Sequence, residues 1–118
     1  ESDLVRDTVK PAAVAAQLAP LRLCECPIEQ RVTGYLTDTQ KLVIPFYEME
    51  KAGGLRPGDP RGTAFATKQI AVGASELRDL IAEAWRASLE HKVGWRPVAV
   101  KDVLAGTVDP YPSLYGID

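Results

Sequence analysis

The chain has 118 residues, 46% of them apolar and 25% charged, which suits one soluble domain with a core of its own and excludes a disordered or fibrous chain. Lys and Arg number 14 against 16 Asp and Glu, a net charge of −2, so nothing marks the chain for a nucleic-acid backbone. No apolar run approaches the roughly 20 residues that span a bilayer, and ESDLVRDTVK lacks the basic start and apolar centre of a signal peptide.

A cytoplasmic location is the expectation. Because the first residue is Glu1 rather than Met, an upstream targeting segment already removed is compatible with it. No segment repeats at a fixed period.

LVRDTVKPAAVAAQLAPL is Ala-rich, with Leu4, Val5, Val9, Val14 and Leu18 as apolar points. Pro11 interrupts it. The pattern predicts a first turn or two, then a helix opening at Pro11 and ending before Pro20. From Leu21 to Tyr35, LRLCECPIEQRVTGY alternates apolar and charged residues, which favours strands, with Pro27 as a break or an edge. LTDTQKLVI continues as a hairpin with TDTQ as its turn, ending in a brief strand at 41–44.

PFYEMEKAGG, 45–54, has Pro first and Gly53 near its end, so a short helical excursion is predicted. GGLRPGDPRG holds four glycines and two prolines in ten residues and reads as a loop. AFATKQIAV after it reads as a strand. SELRDLIAEAWRASLEHKV, 75–93, is the clearest segment: Leu77, Leu80, Ile81, Ala84, Trp85 and Leu89 recur at spacings of three and four. It predicts a helix laid on a core, capped by Ser75, with Glu76 and Asp79 in its first turn, His91 and Lys92 in its last, and Gly94 closing it. Trp85 and Trp95 flank the end of this helix and are expected in the core, with a partner surface as the alternative for one of them. WRPVAV, 95–100, reads as another strand, and about 105–118 as an irregular tail.

The order predicts a single α+β domain over 1–118. Its architecture would be a two-layer sandwich, a mixed or antiparallel sheet of about four strands covered by the 75–93 helix and an N-terminal helix.

Cys24 and Cys26 are the only cysteines. In extended chain their Cα atoms would stand about 6.6 Å apart, near the disulfide limit of about 6.8 Å, so a bond between them would be strained. The spacing is one residue short of a Cys-x-x-Cys redox motif, and a zinc site would need more than these two thiols and one histidine. The expectation is two free thiols packed as small apolar side chains, with no metal. His91 is explained by a helix C-terminus, no cofactor motif occurs, and no catalytic residue is assigned.

The loop KAGGLRPGDPRGT sets Lys51, Arg56 and Arg61 around Asp59 on a glycine-rich backbone fit for an anion or an acidic partner. Tyr111 and Tyr115, interleaved with prolines, suit contact with the chain's own core or a neighbouring subunit. The carboxylates Glu48, Glu50, Glu76, Asp79, Glu83 and Glu90 read as a solvated helix surface.

These features favour a small non-enzymatic protein-binding or assembly-subunit domain acting through the 51–63 loop and the tail on another protein or on copies of itself. The alternatives are a small enzyme using a thiol or carboxylate with that loop as an anion clamp, and a nucleic-acid binder using Lys51, Arg56, Arg61 and Lys68, whose affinity would fall steeply with salt.

Overall fold

The chain is helical. A computed structural model describes residues 2–116, with side chains from Val5 onward; Leu4 of the N-terminal apolar pattern and residues 117–118 of the tail lie outside those described. The described residues form seven helices: α1 (Ser2–Thr8), α2 (Pro11–Ala15), α3 (Ile28–Gln40), α4 (Val43–Lys51), α5 (Pro60–Ser88), α6 (Val100–Leu104) and α7 (Tyr111–Tyr115). The one sheet described is the antiparallel pair β1 (Lys92–Val93) and β2 (Val98–Ala99), in register Lys92 to Ala99 and Val93 to Val98. No described helix is long and apolar enough to cross a membrane.

The α+β sandwich is therefore overturned: 62% of the chain is helical, and the described residues form one two-stranded sheet and no four-stranded layer. The segment 21–26 is irregular, with a bend at Cys26 and no ladder partner, and the residues read as strand and hairpin from 28 to 44 form α3 and the start of α4. Pro45 is accommodated because it stands in the first turn of α4, where its missing N–H costs nothing. AFATKQIAV is the second and third turns of α5 rather than a strand. That helix starts fifteen residues before Ser75 because Asp59 caps it: Asp59 Oδ1 accepts the Arg61 N–H at 2.9 Å, its carbonyl accepts that of Thr63 at 3.3 Å, and Pro60 fits the first helical position. Ser75 lies mid-helix, its hydroxyl donating back to the Ala71 carbonyl at 2.7 Å.

The chain divides after Asp79 into two compact units. In the first, the buried side of α5 is Gly62, Thr67, Ala71, Ser75 and Asp79, a line of small and polar residues. Small residues let neighbouring chain approach closely. Tyr35 of α3 lies over Gly73, with its hydroxyl 3.4 Å from where a Cβ would stand, and Phe46 of α4 meets Phe65 of α5 at 5.8 Å between ring centroids. The segment between α2 and α3 is tied to α5 through polar atoms: Ala19 N–H donates to Ser75 Oγ at 3.0 Å, Arg22 N–H to Asp79 Oδ2 at 3.1 Å, and Arg78 Nη1 to the Ala19 carbonyl at 2.9 Å.

In the second unit, Gly94 turns the chain between β1 and β2 at φ +92. A side chain there would stand 2.5 Å from the Ser113 carbonyl oxygen, which accepts the Trp95 N–H at 2.8 Å. Ser113, buried, donates its hydroxyl to the Arg96 carbonyl, so α7 is fastened to the hairpin by both ends of one serine. The tail read as irregular thus contains one helical turn, ended by Gly116 at φ +62. Neither tryptophan is in a core: Trp85 is 64% exposed and Trp95 83%.

Candidate functional site

Lys51 ends α4, Arg56 lies in the turn that follows, and Arg61 is in the first turn of α5. The chemistry differs among them. Arg61 is engaged within its own turn, with Nη2 2.7 Å from Asp59 Oδ2 and 3.3 Å from the Ala52 carbonyl. Hydrogen bonds from the Arg61 side chain and backbone, helped by the charges of Arg61 and Arg56, draw the Asp59 carboxyl from its ordinary 3.8 down to about 2 against a smaller opposing effect of burial. The Arg56 side chain covers Gly53, within 3.2 Å of a Cβ position there. Tyr111 and Tyr115 lie on α7 with ring centroids 4.6 Å apart, both exposed, and belong to the other unit.

A second constellation lies between α3 and α5. A cleft of about 530 Å3 is lined by Arg22, Cys24, Cys26, Gln30, Arg31, Tyr35, Lys68 and Glu76 among others. Its floor is the guanidinium of Arg31, whose side chain is only 2% exposed. Nε stands 2.5 Å from Glu76 Oε1, Nη2 is 3.4 Å from Asp79 Oδ2, and Nη1 donates to the Arg22 carbonyl at 3.2 Å. Burial pushes the Asp79 carboxyl up. Hydrogen bonds from Arg78 and the Arg22 N–H, with the charges of Arg78 and Arg31, outweigh it and leave the carboxyl below its usual range.

Glu76 and Asp79, read from sequence as solvated helix charges, are instead the ion-pair partners of this buried arginine. A faint signal was present, since Thr67, Ala71, Ser75 and Asp79 recur every four residues and mark one face.

The cysteines are corrected too. Cys24 and Cys26 form a disulfide, with Cα atoms 5.1 Å apart, so the expected free thiols are not there. Glu25 closes the gap by turning to φ +45, which alternation along an extended strand does not allow. Among the described residues no group of three His, Cys, Asp or Glu side chains is placed to hold a metal ion.

The most widespread feature is apolar. Ala71 is the one fully buried apolar residue described. Ile28, Val32 and Leu36 stand one turn apart along α3 and are exposed, as are Val43, Ile44 and Tyr47 of α4. Beside them, a groove of about 340 Å3 runs past Val43, Phe46, Tyr47 and Phe65. Comparison with family models, with curated proteins and with solved structures finds no match to this chain.

Proposed function

We propose that this chain is an assembly subunit whose α3–α4 apolar face packs against a second copy of itself. The observation that carries the reading is surface area. The chain exposes 8668 Å2, whereas two separately compact pieces divided after Asp79 would expose about 7,500 Å2. The excess is of the order of the ~800 Å2 that each partner loses in a standard interface.

The exposed apolar residues of α3 and α4 form one part of that surface where contact with a partner would remove large side chains from water. Two features favour a second copy as occupant. An apolar face is complementary to itself, and a net charge of −2 sets little repulsion between copies. The 51–63 segment and the α7 tyrosines, expected from sequence to make the contacts, are not among the residues of that apolar face.

Sedimentation velocity from 1 to 100 µM, with native mass spectrometry alongside, tests it. A dimer that Leu36→Asp converts to a folded monomer supports the proposal. A wild-type chain that stays monomeric throughout, or a dimer untouched by Leu36→Asp and Ile44→Asp, overturns it, and in the first case points to a different protein as the occupant.

A further inference from the structure

We infer that the Cys24–Cys26 disulfide is a thiol–disulfide exchange site, one that oxidises thiols brought to the α3–α5 cleft. Four observations meet there. The bond closes a ring of only three residues, so it removes little entropy from the unfolded chain and has little to do as a staple. Its surroundings are held without it, by the Arg22 N–H on Asp79 and by Arg31 on the Arg22 carbonyl. The ring forces Glu25, a residue with a Cβ, into the left-handed region at φ +45, a conformation that reduction releases. Finally, Cys24 is exposed and Cys26 half-buried, and both line the cleft with Arg22, Arg31 and Lys68 against Asp38 and Glu76, three cations to two carboxylates.

These features divide the labour between the sulfurs. A thiolate reaches Cys24 Sγ from solvent and forms a mixed disulfide there. The Cys24–Cys26 bond breaks, and its electron pair leaves on Cys26 Sγ, the half-buried sulfur of a cleft whose lining includes Arg22 and Lys68, cations that favour a thiolate. A second thiolate attacks the external sulfur of the mixed disulfide and releases Cys24. The products are the disulfide of the incoming thiol and a Cys24, Cys26 dithiol, two electrons having passed to the protein. This activity is independent of self-assembly, and either can fail without the other.

The test uses the intact, folded chain and reduced glutathione as the probe. Samples are acid-quenched, alkylated and weighed by mass spectrometry, with the same reaction run in guanidinium as reference. The expected result is reduction of the folded chain on the order of tenfold faster than of the unfolded one, with the transient glutathione adduct mapped to Cys24. Arg22→Ala is expected to slow the folded-state reaction several-fold while circular dichroism stays unchanged. Reduction of the folded chain no faster than of the unfolded one, or an adduct on Cys26, overturns the proposal.

Discussion

Replacing Arg31 by methionine keeps most of the aliphatic volume and deletes the charge, and the surroundings of that charge set the cost. The guanidinium is 2% exposed, against 19% for the Glu76 side chain and 5% for Asp79. Breaking a buried pair from one side costs about 3–5 kcal/mol, because the partner is left buried and uncompensated. Here the low end applies. Asp79 keeps Arg78 at 2.6 Å and the Arg22 N–H, and Glu76 is open enough to take water in exchange. The Arg22 carbonyl does lose its donor. A loss of about 3 kcal/mol corresponds to a fall of roughly 15 °C in Tm for a unit of this size.

Urea unfolding followed by circular dichroism measures the loss, and a cycle with Glu76→Gln and the double variant isolates the pair. The two groups are in contact, so their coupling should exceed about 0.5 kcal/mol. A loss below about 1 kcal/mol for Arg31→Met, or strict additivity in the cycle, would refute the claim that this buried cluster organises the first unit.

Three further outcomes follow from the geometry. Asp59 has its carboxyl held at about 2, below its ordinary 3.8, so its contribution to stability is complete above about pH 4 and is lost as the pH falls toward 2. Asp59→Asn should lower Tm at pH 7 and flatten its fall between pH 4 and 2, and parallel curves for the two proteins would contradict this. Gly94→Ala should loosen α7 from the hairpin, since it adds a Cβ 2.5 Å from the Ser113 oxygen at φ +92. A cost of at least about 1 kcal/mol is expected, read as amide-exchange protection lost at Trp95 before the first unit is affected. Trp85 and Trp95 are exposed, so acrylamide should quench nearly all the emission of the folded monomer. A substantial protected fraction at dilutions where the chain is monomeric would count against these positions.

What could be read from the sequence were local punctuation marks, and what could not were the faces. Pro11 does open a helix, GGLRP does interrupt the chain, and the apolar period after Ser75 does belong to a long helix. The Asp59-Pro60 start of that helix was equally legible as a cap followed by a first-turn proline. It was obscured by Gly62 and by Thr63, Phe65 and Thr67, whose preferences favour a strand. Residues 28–40 misled in the same way: Val32, Thr33, Tyr35, Thr37 and Thr39 are β-formers in a helix whose place is fixed by Arg31 and Tyr35 gripping α5. Tertiary contacts overrode propensity there, and no local signal reports such contacts. Within the candidate site, Arg31, Glu76 and Asp79 escaped notice because a buried ion cluster and a solvated helix face have the same composition; only the partner across the fold tells them apart.

The burial of α5 leads to the same partner question by a different route. Amphipathic reasoning assigns Leu77, Ile81 and Trp85 to the inside, yet all three are exposed, while the inward line is Thr67, Ala71, Ser75 and Asp79. That inversion has a physical logic. A seam of small and polar residues admits the irregular segment 19–22 at hydrogen-bonding distance, and a backbone segment with no ladder of its own needs those partners for its N–H and carbonyl groups. Large apolar side chains along the same seam would hold that segment away and leave its polar atoms unsatisfied. The hydroxyl and carboxylate side chains that solve this problem displace apolar residues to the outer surface, where water is a poor neighbour. A chain whose inner face closes on polar groups keeps hydrophobic surface exposed, and the self-association proposed above would cover part of it, which makes the state of assembly the property to measure first.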